Sequence, residues 1–460
     1  MRGSRSTERA DVIVVGAGPA GLSAALGLVE AGMSVIVLEA AGRPGGRMTT
    51  DHVDGFRLDR TGLLLTTPPP GSSRTPGVDG LPLAPLSAGV LVRSGERSLR
   101  LGEPRSTRRV RDAARVLAVS GGRPPSSAPG ACRTPLTGSG SRVLITEAFD
   151  QARLSAFLRR IAATPADRLR TRPETAAAEA LGNRGLPART VETFLRPLLS
   201  ALLCDPGLVT SSRCADLALR GFARGRICLP AGGASALPER LAAALPPGTV
   251  RTSVRALTAS TRSVVTDEGG ELACRAVVVA TGARSAAGLL PGLRVPDFHP
   301  VTVLHHTADV PPLRESALVL DADGRGPVTH TFVASEVDPF RAPRGRALIT
   351  STVLGAAAGE PLGTLDKAAR MQLGELYGTS ADGWDLVGAH HDPDAVPVMA
   401  APHDPQRPVR VLSGLYVCGD HREASTVQGA LRSGRRAAAA LLRDFGVRTG
   451  PAPASLPTAA

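Results

Sequence analysis

Gly16-Ala17-Gly18-Pro19-Ala20-Gly21 carries the strongest chemical signal in the chain, because glycines at this spacing let a backbone close around a phosphate. Gly16 permits the tight turn. Gly18 lets the main chain approach a pyrophosphate, and Gly21 lets the next helix pack on the preceding strand. Pro19 and Ala20 open that helix, whose first N–H groups and positive dipole end suit an anion. Glu39, with Ala40 beside it, is placed to accept hydrogen bonds from an adenosine ribose.

The elements needed to position these residues are present. Asp11 to Val15 is a β-branched run, Gly16 to Gly21 a turn, Leu22 to Glu30 a helical stretch and Ser34 to Leu38 a second strand. Together they form a βαβ unit. A glycine repeat alone arises by chance in a glycine-rich chain, and it is this surrounding unit that makes the signal specific. It does not separate NAD from FAD.

The next residues do. Arg43-Pro44-Gly45-Gly46-Arg47 follows immediately and resembles the extended dinucleotide motif of the FAD-dependent amine oxidases, phytoene desaturases and protoporphyrinogen oxidases. The resemblance implies that Arg47 lies along the diphosphate and ribityl chain, where a guanidinium makes bidentate contacts. Arg43 reads as well as a solvated surface arginine. Gly55-Phe56-Arg57-Leu58-Asp59-Arg60-Thr61-Gly62, followed by Leu63, resembles the strand and turn that bring backbone beside the flavin ring. Gly414 to Asp420 and Ser425 to Ala430 resemble the C-terminal FAD motif. That likeness implies Gly419 and Asp420 at the ribityl or phosphate region, and Thr426, Val427, Gln428 and Ala430 at the pyrimidine end. Backbone N–H groups near Gln428 to Ala430 would there stabilise the charge of reduced flavin. Gly232 to Leu237 leads to Val254, which by the same resemblance gives adenine its backbone contacts. The likeness covers residues 11 to 65, 221 to 283 and 396 to 443.

The expected fold is α/β: a Rossmann-type FAD-binding domain with a discontinuous substrate domain made of an antiparallel or mixed sheet plus a helical insert. Residues 1–90, 221–297 and 396–446 are expected to build the FAD-binding part. Residues 91–220 read as mainly helical, with apolar positions at three and four spacing in Val143 to Ile161 and Val191 to Leu203. Residues 298–395 carry the substrate-domain sheet, with four strand-like pieces between Phe298 and Leu354. Val250 to Leu257 and Ala276 to Ala280 read as strands. Residues 447–460 form a Pro/Ala tail expected to be disordered.

No second glycine fingerprint follows a strand, since Ala280-Thr281-Gly282 lacks the residue that would hold another pyrophosphate. Electrons are therefore expected from an organic substrate, with oxygen or another acceptor regenerating the flavin. The amine oxidases often carry an aromatic before the last motif and a lysine near the flavin. Here Thr426 stands at the aromatic's position, and Lys367 lies in an expected surface helix. The leading expectation is dehydrogenation, a desaturation, of a small or medium apolar-bodied metabolite by hydride transfer to flavin N5. Amine-type C–N oxidation, a non-redox FAD-dependent isomerase or cyclase, and a binding protein like the GDP-dissociation inhibitors stay open. FAD is expected to be noncovalent, because Cys418 reads as a buried strand residue. Acid–base candidates are histidines: His330, His390 and His391 are taken as the polar contacts of the site. Of the adjacent pair His305 and His306, a strand can aim only one at it.

Length and composition bound the rest. The chain has 460 residues, 42% hydrophobic and 3% aromatic, enough for two domains but few for an aromatic-lined site. The net charge is +13, almost all from scattered arginines with no basic block, so nucleic acid is not expected as a partner. No apolar stretch reaches membrane-spanning length; contact with a membrane surface stays open, as does monomer or homodimer. Six spaced cysteines without metal spacing read as reduced thiols of a cytoplasmic protein. No metal is expected.

Overall fold

The computed structural model describes residues 10–62, 64–67, 80–95, 97–102 and 140–447. Its centre is a six-stranded sheet in the order Val250–Arg251, Val35–Leu38, Val12–Val15, Ala276–Val279, Leu415–Val417, Arg410–Leu412. The first five strands are parallel and the last is antiparallel. The runs VIVV, VIVL and AVVV are buried at every position, as parallel strands covered on both faces must be. Helices Pro19–Glu30 and Val427–Asp444 lie together on one face. Their approach is close: a β-carbon on Gly434 would stand 2.1 Å from the Ala20 carbonyl oxygen.

A second, seven-stranded sheet runs Asp385–Pro397, Phe298–Ala308, Ala347–Leu354, Val328–Val333, Val319–Asp321, Val90–Ser94, Arg97–Leu101. The four strands read between Phe298 and Leu354 are all there. Pairing is antiparallel except between Val319–Asp321 and Val90–Ser94, so the sheet is mixed. One face packs on helix Leu362–Tyr377 through Leu365, Ala369 and Leu373. The other packs on the helical insert, where Phe194, Leu198 and Leu199 meet Leu320, Phe332 and Leu348. The insert contains helices Gly140–Ala163, Arg196–Leu203 and Ser212–Arg224, the second entered through a π-helical turn at Val191–Leu195.

One element differs from the sequence reading. Val250 to Leu257 is not one strand, because Ser253 takes a left-handed conformation (φ +61°), which breaks an extended run. Val250–Arg251 joins the parallel sheet, while Ala256–Ala259 turns away to pair with Ser263–Thr266 in a separate antiparallel sheet.

A buried ion pair fastens the two sheets' surroundings together. Arg341, in the turn Pro339–Arg341, donates from Nη1 to Asp59 Oδ2 at 2.6 Å and from Nη2 to the Pro230 carbonyl at 3.0 Å. Asp59 Oδ1 accepts from Thr50 Oγ1 (2.7 Å) and from the Ala234 N–H (2.8 Å). Arg341→Met would strand the Asp59 carboxylate without its cation. The expected loss is on the order of 3–5 kcal/mol of stability, read by urea denaturation. Asp59→Asn in the Arg341→Met background should recover part of it; a single variant as stable as the parent would refute the assignment.

Candidate active site

The glycine turn has the geometry its spacing implies. Gly16 sits at φ +107°, and a β-carbon there would come within 3.0 Å of the Ala280 carbonyl oxygen. At Gly21 a β-carbon would overlap the Gly16 carbonyl oxygen at 1.9 Å, so helix and strand are in direct contact. Around Gly18, by contrast, a β-carbon would meet nothing within 4 Å. Gly18 also caps helix Pro19–Glu30 with no side-chain hydrogen bond, which leaves the first-turn N–H groups beside Ala20 for an anion. The Arg43 to Arg47 loop folds over the same opening: Gly45 N–H donates to Ala17 O at 3.0 Å, and Gly46 faces the Gly18 Cα.

Glu39 does more than wait for a ribose. Its Oε2 accepts from the Ala17 N–H at 2.8 Å and its Oε1 from the Ala41 N–H at 2.9 Å, so the carboxylate braces the turn. Ala40 between them is exposed. The Val254 N–H donates to the Glu39 carbonyl at 2.9 Å, which brings Val254 to the same end of the sheet.

The far end of the chain closes on this loop. Arg47 Nη2 lies 2.7 Å from Asp420 Oδ2, and Arg47 Nη1 donates to the Ala395 carbonyl. Burial alone would raise the Asp420 carboxyl, yet the Arg47 charge beside it wins and holds it below the usual carboxylate range. Gly419, at φ +149°, brings its backbone against the His421 ring. Helix Val427–Asp444 is capped by Thr426, whose Oγ1 accepts from the Gly429 N–H at 3.0 Å. The Ala430 N–H is taken by the Thr426 carbonyl at 2.9 Å. Val427 and Gln428 therefore hold the first-turn donors that no helical carbonyl can reach. The sequence reading spread these donors over Gln428 to Ala430; the cap explains why they stop earlier.

Gly62 marks the other side of the site, while Leu63 lies outside the described residues. A β-carbon on Gly62 would stand 2.3 Å from Thr352 Oγ1, so this backbone is pressed against the seven-stranded sheet. In register across that sheet run His390, Val303, Thr352, His330 and Leu320, and directly opposed residues share a face. His330 is fully buried and neither ring nitrogen has a partner among the described residues. His390 is half-buried near Arg60. His391 is exposed and its Nδ1 meets Thr302 Oγ1 at 2.8 Å, which turns it to the opposite face. His305 and His306 part as strand neighbours must. His305 bonds Thr350 Oγ1 (3.1 Å) and the Asp59 carbonyl (3.0 Å), and His306 bonds Asp366 Oδ1 (2.8 Å) under helix Leu362–Tyr377.

Two residues stand apart from the site. Lys367 is exposed on helix Leu362–Tyr377, behind the sheet. Cys418 is fully buried, and burial pushes its thiol up to about 12, so it is no nucleophile. Thr352 and Arg341 were not singled out from sequence: each is an ordinary strand or turn residue until the register is known.

A family model described as flavin containing amine oxidoreductase matches residues 19–442. The chain belongs to that family. Putrescine oxidase of Kocuria rosea is 55% identical over 64 residues, 14% of this chain and 13% of that protein. Phytoene dehydrogenase of Streptomyces griseus is 51% identical over 57 residues, 12% of this chain and 11% of that protein. The matched stretches thus span about an eighth of those relatives. Over the whole fold, a putative protoporphyrinogen oxidase from Exiguobacterium sp. 255-15 superposes with TM-score 0.65 at 16% identity, covering 96% of this chain and 99% of that one. Putrescine oxidase bound to putrescine gives TM-score 0.60 at 19% identity, covering 95% and 99%.

This member of the flavin-containing amine oxidoreductases is thus an FAD-dependent oxidoreductase, and its residues fit that cofactor. The opening before Gly18, the uncapped helix start and the donors of Val427 and Gln428 are what a dinucleotide needs. Among the described residues no helix is long and apolar enough to cross a membrane.

Gly18→Val should fold but purify without flavin, since its side chain enters open space, whereas Gly21→Val should fail to fold. Equal flavin content in Gly18→Val and parent would contradict the reading. A pH dependence also follows. Burial holds His305, His330 and His421 at about 4, below the ~6.5 of an unfolded histidine. Between these values the unfolded chain binds more protons, so stability is full above about pH 6.5 and declines toward pH 4. A melting temperature that stays level from pH 7 to pH 4 would exclude it.

Proposed function

We propose that the protein dehydrogenates a small or medium, apolar-bodied, uncharged metabolite bound between the FAD-binding part and the seven-stranded sheet. FAD, bound noncovalently, supplies the hydride acceptor at N5. The chain's own part is to bind and orient both molecules. Gly18, Glu39, Arg47, Asp420, Val427 and Gln428 hold the cofactor, and Gly62 lets backbone lie along its ring.

The observation that carries the substrate reading is the sheet face opposite Gly62. Val303, Thr352, His330 and Leu320 are buried and bring no fixed charge to it. Burial alone keeps the His330 ring neutral. Of the nearby carboxylates, Asp59 is paired with Arg341, Asp51 with Arg60 and Asp420 with Arg47, while Asp392, near His390 at the edge of the row, accepts from the Asp394 N–H. A free ammonium group entering here would lose its hydration without gaining an anion. An aliphatic body loses nothing. Helix Arg196–Leu203 closes the same face with Leu198 and Leu199, which keeps water from the reacting carbon.

The test is anaerobic mixing of the yellow holoenzyme with candidate metabolites while following flavin absorbance. Bleaching by an uncharged aliphatic compound, with product two hydrogens lighter, is expected, as is FAD release on heat denaturation. Bleaching by diamines alone would move the reaction to C–N oxidation. Rapid bleaching by NADPH with no organic substrate would overturn the dehydrogenase reading.

A further inference from the structure

We infer that Arg407, Arg422, Arg432 and Arg436 form a second anion site, outside the dinucleotide opening, which takes the phosphoryl dianion of free phosphate or of a phosphorylated metabolite. The four side chains gather around the turn Asp420–Arg422. Arg407 Nη1 donates to the His421 carbonyl at 3.2 Å, and Arg436 Nη2 donates to the Arg407 carbonyl at 2.8 Å. Arg422 donates from Nε to the Pro408 carbonyl at 3.2 Å and from Nη2 to the same oxygen. Arg436 Nη1 bonds Glu423 Oε2 at 2.7 Å, while Arg432 Nε stands 3.3 Å from Glu423 Oε1 without hydrogen-bonding it. Glu423 is buried and already paired. The exposed Asp404 accepts from the Gln406 N–H at 2.8 Å and pairs with no cation among the described residues. Two carboxylates thus answer four guanidiniums, and among the described residues Arg407 and Arg422 have only backbone carbonyls as partners.

The cluster is open to a ligand and lies apart from the cofactor. The side chains of Arg432 and Arg436 are 40% and 31% exposed, and Arg407 and Arg422 are half-buried, so an anion reaches them from solvent and needs no closed cavity. A guanidinium carries five N–H donors, and the bonds above use one from Arg407 and two from Arg422. Gly434 is where helix Val427–Asp444 meets Ala20, at the glycine turn. Arg432 and Arg436, two residues to either side, lie about 200° round the helix from that contact. They share the flank turned away from the dinucleotide opening. Burial, together with the charges of Arg407 and Arg436, pushes the Arg422 guanidinium below its usual value, as like charges do when crowded without an anion. An excess of positive charge on this scale is answered better by a dianion than by one carboxylate, and phosphoryl oxygens match the paired N–H groups of a guanidinium fork.

The experiment titrates FAD-saturated holoenzyme calorimetrically with inorganic phosphate, glycerol 3-phosphate and acetate, at constant ionic strength in chloride. With FAD in place the opening before Gly18 is filled, so added phosphate reports on the other site. Phosphate should bind saturably, one per chain, with a Kd of about 1 mM or tighter, and acetate about ten-fold more weakly. Arg407→Gln and Arg422→Gln should each weaken phosphate about ten-fold. Arg153→Gln, which removes an exposed charge from helix Gly140–Ala163, should leave it within about two-fold and so controls for the net charge of the chain. Should Arg422→Gln yield no holoenzyme, Arg407→Gln, which gives up a single hydrogen bond to a carbonyl, decides. Glycerol 3-phosphate binding at least as tightly as phosphate assigns the site to a phosphorylated metabolite, and ten-fold weaker binding assigns it to the free ion. Each of those results supports the site. No saturable binding of phosphate overturns it, as does equal weakening by Arg153→Gln and Arg407→Gln, which marks diffuse attraction to a basic protein. Acetate binding as tightly as phosphate overturns the preference for a dianion.

Discussion

The site depends on the buried contact between Asp59 and Arg341. The bonds around it bring together the Thr50–Val53 and Phe56–Asp59 hairpin, the turn at Gly232 to Ser235 and the turn Pro339–Arg341, three parts of the chain that are distant in sequence. A charge pair in this position is stabilising only while all its other hydrogen bonds are made. Here both carboxylate oxygens and the two terminal guanidinium nitrogens are used, while Arg341 Nε lies 3.6 Å from Asp338 Oδ2. The Asp59 backbone is held as well. Its carbonyl can only accept, so His305 donates from Nε2 and receives the Thr350 hydroxyl at Nδ1, a tautomer assigned by the network. Three residues downstream, Gly62 has nowhere to go but against Thr352. This network thus sets how the backbone at Gly62 lies against the seven-stranded sheet.

The second constraint is closure of the chain upon itself. The parallel sheet takes its strands from residues 12–38, 250–279 and 415–417, so the cofactor half is assembled late in sequence however early its glycine turn occurs. Arg47 and Asp420 are the side chains that meet across this closure. Asp420 is charged because Arg47 is there, and Arg47 is fixed because Asp420 and the Ala395 carbonyl receive it. Arg47 also touches the seven-stranded sheet through Ala395, so one arginine registers the glycine loop, the turn Asp420–Arg422 and the sheet against one another.

What was legible in the sequence was what is local. The glycine turn, the all-aliphatic parallel strands and the four strands after Phe298 each follow from periodicity and turn residues within a dozen positions. What was not legible depends on register. Val250 to Leu257 alternates like a strand, and only the left-handed Ser253 reveals the break. His390 and His391 are equal in sequence, yet strand parity sends one toward Arg60 and the other to Thr302. His330 follows an irregularity between Val328 and His330 that shifts the pairing by a residue, so counting along the strand gives the wrong face. Thr352 has no sequence signal at all. It is one more β-branched residue in a buried strand until Gly62 is found beside it.

Unsatisfied polar atoms are informative here because of where they fall. The row Val303, Thr352, His330 and Leu320 crosses the centre of a sheet whose next row, one residue along the strands, has its hydroxyls bonded. Sequences that break a local rule without compensation tend to do so at functional positions. An apolar row would be more stable, and valine in place of Thr352 is sterically trivial. The chain instead keeps a hydroxyl and a neutral imidazole side by side in an aliphatic wall, the hydroxyl against Gly62. With so few aromatic residues, shape alone gives such a wall little means to orient a flexible aliphatic ligand. Hydrogen bonding from a few placed polar groups is the remaining physical means of fixing one.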